Sequence, residues 1–110
     1  MAIIDCQASF SNSRIKPRAA TTEGATYNKT ITPVPALLFP YNENRTTLTI
    51  RNESLGVDFR YSYSLAGVSQ TIGFLVRFGE AIELQGPMSV YACSCSLVDS
   101  VPICADEGSG

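Results

Sequence analysis

Apolar and polar residues alternate with period two over several short stretches of the chain, the pattern of strands with one buried face. Leu48 and Ile50 alternate with Thr47, Thr49 and Arg51, and Val57, Phe59, Tyr61 and Tyr63 alternate with Asp58, Arg60, Ser62 and Ser64. Ala81-Ile82-Glu83-Leu84 and Met88–Cys95 continue the pattern, and Val101–Ala105 is predicted as a last strand before the polar end Asp106–Gly110. Thr26–Val34 is predicted as an edge strand, because Pro33 and Pro35 cannot donate to a ladder on two sides. Pro35–Asn44 is predicted as a connection that lays Leu37, Leu38 and Phe39 onto the core, and Thr71–Phe78 as a further apolar stretch. Turn chemistry separates these segments at Asn52–Gly56, Gly67, Gly79 and Gly86-Pro87. Phe59, Leu48 and Ile50 are the predicted core, with Arg45 and Asn52 in structural roles at the ends of one strand.

Residues 1–26 hold neither a period of two nor one of 3.6, although they contain Ile3, Ile4, Phe10 and Ile15 and the basic residues Arg14, Lys16 and Arg18. A segment that cannot bury its own large apolar side chains can bury them against a neighbour, at about 1.5–3 kcal/mol each. The expected organisation is an extended N-terminal arm over 1–26, whose partner-binding residues are those seven, and a β-sandwich domain over 27–110. Short strands with turns about every ten residues and no helical period specify an all-β fold, an antiparallel β-sandwich of jelly-roll or Ig-like type.

The length of 110 residues allows one core, and 45% hydrophobic against 16% charged residues is a folding composition. A net charge of −2 argues against nucleic acid as partner, which calls for a basic domain or stripe. The charge is uneven: Arg14, Lys16, Arg18 and Lys29 outweigh Asp5 and Glu23 in residues 1–30, whereas Asp99, Asp106 and Glu107 stand unopposed in 99–110. No run approaches a membrane span, and Met1–Cys6 lacks the basic start and apolar stretch of a signal peptide. Synthesis in a cytoplasm and no membrane partner are therefore expected, and with them four reduced, buried thiols at Cys6, Cys93, Cys95 and Cys104. A Cys95–Cys104 bridge across the final hairpin is geometrically demanding.

Chemistry-bearing constellations are sparse. The sequence has no histidine, which removes Ser-His-Asp and Cys-His machinery and the usual general acid–base. Cys93-Ser94-Cys95 is spaced too tightly for a zinc pair, and the single glycines form no phosphate loop. Glu80 and Glu83, three apart on a strand, point to opposite faces and read as solvated surface charge. Tyr61 and Tyr63 beside Arg60 offer a stacking platform for a base or sugar, but aromatics at period two pack more often than they bind. Neither catalysis, cofactor nor metal is expected.

Asn44–Asn52, Val57–Tyr63, Phe78-Gly79-Glu80 and Gly86–Ala92 together resemble a pattern found in small structural proteins of tailed bacteriophages. There an R-x-x-L-x-I-x-N strand precedes an aromatic-rich strand, a glycine turn and a G-x-x-x-V/I-Y-A strand. The match spans about residues 27–106 in short motifs. The resemblance implies a non-enzymatic virion component on the capsid exterior: a decoration or cement protein that binds adjacent major capsid protein subunits, as a homo-oligomer, and stabilises the head. The alternative it implies is a tail or fibre component with a receptor- or carbohydrate-binding role. Extended arms commonly tie virion subunits together.

Overall fold

Alternation gives every strand two unlike faces, and two sheets bury the apolar ones against each other. The computed structural model describes residues 24–109. Its strands are β1 (Gly24–Ile31), β2 (Ala36–Phe39), β3 (Arg45–Asn52), β4 (Phe59–Ser62), β5 (Phe74–Val76), β6 (Ala81–Gln85), β7 (Val90–Ser94) and β8 (Val101–Ser109). One sheet has the order β1-β8-β3-β6 and the other β2-β7-β4-β5, and every pairing is antiparallel. The chain changes sheet at every connection except the one between β4 and β5, which makes the sandwich a jelly roll.

Ile31, Leu48, Ile50, Val101, Ile103 and Ala105 line the core from the first sheet, and Leu38, Phe39, Phe59, Val76, Val90 and Ala92 from the second. The alternation therefore holds where it was clearest: Leu48, Ile50 and Phe59 are fully buried, with Val57 and Tyr61 packed against them. β1 is an edge strand, as expected, but it runs from Gly24 to Ile31, so the prolines on which that expectation rested lie in the connection after it.

Three elements depart from expectation. The connection Pro35–Asn44 contains β2, an edge strand whose register shifts between Leu37 and Phe39. The bulge puts Leu38 and Phe39 both inward and leaves Leu37 exposed. Val57–Ser64 is strand only over Phe59–Ser62, and Tyr63 lies exposed beyond it. The polar end is no tail: β8 continues through Asp106 and Glu107, because Glu107 has a buried partner.

That partner is Arg45. In β3 the inward residues are Leu48, Ile50 and Asn52, so unbroken alternation would turn Thr46 inward and Arg45 out. A register shift opposite β8, between Arg45 and Thr47, reverses this at the start of the strand: Thr46 is exposed and Arg45 buried. The guanidinium donates to Glu107 Oε2 at 3.2 Å, to the carbonyls of Gly86 at 3.2 Å and Pro40 at 3.4 Å, and to that of Met88. Tyr27 Oη donates to Glu107 Oε1 at 3.0 Å, and Asn42 Nδ2 to Oε2 at 3.3 Å. This accepting carboxylate, then burial, push the Tyr27 hydroxyl above its ordinary value of 10.0. At the other end of β3, Asn52 donates from Nδ2 to the carbonyls of Val57 and Val76 and accepts from Ser54 N–H through Oδ1.

Two substitutions test this account by thermal or denaturant unfolding. Phe59→Ala is expected to cost about 3–5 kcal/mol through the cavity it leaves; an unchanged melting temperature would place Phe59 outside the core. Arg45→Met, which strands Glu107 without its cation, is expected to cost about 3–5 kcal/mol. The double variant with Glu107→Leu is expected to recover part of that loss.

Candidate interaction surface

Alternation also decides what the outer faces carry. Arg60, in β4 between core-facing Phe59 and Tyr61, lies on the outer face of the second sheet, in register with Cys93 of β7 and Leu75 of β5. Segment 63–73, with its 3-10 turn at Leu65–Gly67, folds back over this face. Arg60 holds it there, donating from Nε to Gln70 O at 3.2 Å and from Nη1 to Gly73 O at 2.9 Å. Gln70 Nε2 in turn donates to Pro33 O, tying the segment to the β1–β2 connection. Gly73 has φ +120°, and a Cβ there would sit 2.9 Å from the Tyr61 carbonyl oxygen, so the close return to β4 requires glycine.

Arg60 is thus engaged by backbone carbonyls rather than held beside Tyr61 and Tyr63 as a stacking platform. The tyrosines pack: Tyr61 meets Tyr63 edge-on at 6.2 Å between ring centroids and Phe74 at 5.2 Å. Among the described residues β5 has β4 as its sole neighbour; Phe74 and Leu75 are exposed on it, as are Tyr63, Leu65 and Ile72 in the segment that leads into it. An unpaired edge beside a cluster of large apolar side chains is the feature that protein interfaces use. The sequence signal for it was the run Ile72-Gly73-Phe74-Leu75-Val76, apolar without alternation; only Val76 of that run is core.

The carboxylates make local contacts. Glu80 Oε1 accepts from Arg77 N–H at 2.9 Å and Glu83 Oε2 from Gln85 Nε2 at 3.1 Å. Among the described residues no three His, Cys, Asp or Glu side chains gather as a metal site. Ile3, Ile4, Phe10, Arg14, Ile15, Lys16 and Arg18, the expected partner-binding residues, lie outside the described residues.

Cys93, buried under the covering segment, is free as expected, and Cys95 is free too, although half-buried rather than buried. Cys104 is disulfide-bonded, which corrects the expectation of a reduced thiol there. A Cys95–Cys104 bridge does not form: Cys95 is free in the β7–β8 connection, whereas Cys104, in β8, is bonded. Cys104 sits in β8 between core-facing Ile103 and Ala105, on the outer face of the first sheet, opposite Asn28 and Arg51. The remaining cysteine of the sequence, Cys6, is outside the described residues. Burial, then the neighbouring Cys95, raises the Cys93 thiol above its ordinary value of 9.0. Burial also raises Cys95, with Asp58 adding to it and Arg60 opposing.

No family model and no curated protein matches the chain. Solved structures do share its fold. A Neisseria meningitidis protein, 11% identical, superposes with a TM-score of 0.53 over 80% of this chain and 76% of its own. A Ralstonia eutropha protein described as a mannose-6-phosphate isomerase, 8% identical, gives a TM-score of 0.50 over 79% and 75%. A structure of Bacillus endospore appendages, described as disulfide-linked pili, is 10% identical with a TM-score of 0.46 over 79% and 84%. At such identities the first two likenesses show the sandwich alone.

Reduction of the folded protein is expected to lower its stability by about 2–5 kcal/mol, an effect lost in Cys104→Ala; an equal response in both proteins would show that the bond does not stabilise the sandwich. Alkylation at pH 7 is expected to label Cys95 more slowly than free cysteine and to leave Cys93 unlabelled until the protein unfolds, since the thiolate is the reactive form.

Proposed function

We propose that this chain is a non-enzymatic structural subunit of a bacteriophage virion, a capsid decoration or cement protein that binds adjacent major capsid protein subunits on the head exterior and stabilises it. The observation that carries the reading is the apolar edge of β5, which has no second strand neighbour among the described residues and exposes Phe74 and Leu75 next to a segment that exposes Tyr63, Leu65 and Ile72, a surface suited to a protein neighbour. The strand motifs quoted above supply the virion context. Their key residues have structural roles: Arg45 and Asn52 of the R-x-x-L-x-I-x-N strand are buried and hydrogen-bonded. On this reading the arm, through Ile3, Ile4, Phe10, Arg14, Ile15, Lys16 and Arg18, reaches a neighbouring subunit, and copies of the chain associate on the shell.

Copy number in purified particles tests the assignment. Many copies distributed over the head shell are expected; a handful at one vertex would favour the tail or fibre reading, and absence from the particle would sink both. Leu65→Lys with Leu75→Lys is expected to lower shell occupancy while the melting temperature stays near that of the parent, because both side chains are exposed in the free subunit. Unchanged occupancy would move the interface off this edge.

A further inference from the structure

The directions of the strands bring four connections to one end of the sandwich: 32–35, 53–58, 77–80 and 95–100. Their backbones are laced together. Ser94 N–H donates to Thr32 O at 2.9 Å, Cys95 N–H to Asp58 O at 3.0 Å, Gly79 N–H to Asn52 O at 3.0 Å and Glu53 N–H to Pro102 O at 2.9 Å. Phe78 N–H donates to Asp58 Oδ1 at 2.9 Å. Yet each connection turns a large apolar side chain to solvent: Val34 is 67% exposed, Leu55 98%, Phe78 52%, Leu97 79% and Val98 83%.

These tips are held rather than loose. Ser54 Oγ, just before Leu55, accepts from the Gly56 and Val57 N–H groups just after it and so closes the turn that presents Leu55. Ser96 Oγ accepts from Val98 and Asp99 N–H, and Ser94 Oγ donates to Asp99 O, around Leu97 and Val98. Nothing in the packing of the sandwich asks for apolar residues there, because polar residues form the same serine-braced turns. A preset apolar surface loses little on binding, since its loops are already ordered.

The charge at this end indicates what covers it. Asp58, Glu80 and Asp99 lie in these same connections against Arg77, while Glu53, mostly buried, is paired with Arg51 at 3.3 Å. An acidic border is repelled by an anionic lipid surface and matches a basic one. The described chain ends lie at the other pole, where β1 begins at Gly24 opposite Gly108.

We propose that this apolar end seats on a protein surface that is apolar at its centre and bordered by lysine and arginine. Resting on the virion reading above, that surface belongs to the capsid shell. The contact is separate from the β5 edge.

A photo-crosslinking residue at Leu55 or Leu97 of the full chain, with Tyr41 at the opposite pole as control, tests this in the producing cell and in purified particles. Cross-links from both tip positions to a capsid subunit, next to its Lys or Arg residues and absent from Tyr41, are expected. Cross-links only to other copies of this chain, equal capture at Tyr41, or none, would overturn the proposal. The triple variant Leu55→Ser, Leu97→Ser, Val98→Ser is expected to keep the parent melting temperature and to bind particles about tenfold or more weakly; parent-like binding would also overturn it. Flotation of the parent with phosphatidylcholine vesicles would overturn it in favour of lipid. If copy number shows that the chain is not in particles, the virion reading falls alone: a tip cross-link to a defined basic-bordered site on another protein then sustains the seat, and its absence removes it.

Discussion

The far pole of the sandwich is organised around one buried guanidinium. Arg45 joins the start of β3 to the end of β8 through Glu107, and its other donors reach the β2–β3 connection at Pro40 and the β6–β7 connection at Gly86 and Met88. Tyr27 and Asn42 complete the coordination of Glu107, so β1 is drawn in as well. A buried ion pair is a weak source of net stability, because desolvation offsets the attraction. Its value lies in registration: any slip of β3 against β8 would leave a charge buried without its partner. The bulge that turns Arg45 inward and the extension of β8 past Ala105 both follow from that requirement.

At the opposite pole backbone hydrogen bonds close the structure, and the side chains are left free to face outward. Asn52 serves there as Arg45 does at the other end, fixing the turn after β3 and reaching Val76 in the second sheet. The two poles therefore have different chemistry, one polar and inwardly bonded, the other apolar at its tips with a carboxylate border. A subunit built this way is directional. With the β5 edge, which has no second strand neighbour among the described residues, the sandwich presents large apolar side chains on two parts of its surface.

The outer faces differ as well. The second sheet is partly covered by its own β4–β5 connection, held by Arg60 and leaving Cys93 inert beneath it. The first carries a disulfide-bonded Cys104 in a central strand. A covalent constraint of this kind is one way a small core gains stability it cannot draw from area alone.

Period-two alternation and glycine turns were sufficient to determine the fold class, the core residues Leu48, Ile50 and Phe59 and the structural roles of Arg45 and Asn52. Each is a local property, because strand geometry sends neighbouring side chains to opposite faces, whereas prolines did not mark the edge: Pro33 lies beyond β1 and Pro102 stands in central β8. Tertiary structure alone decided the rest. The bulges at Leu37–Phe39 and Arg45–Thr47 reverse the alternation, and they arise from pairing with β7 and β8, strands distant in sequence. Glu107 reads as a polar tail until Arg45 arrives from 62 residues away. Leu55, Phe78 and Leu97 look like unrelated loop residues, because only the jelly-roll path brings their connections to one end. Sequence spacing encodes the faces of a strand, but not which strands meet.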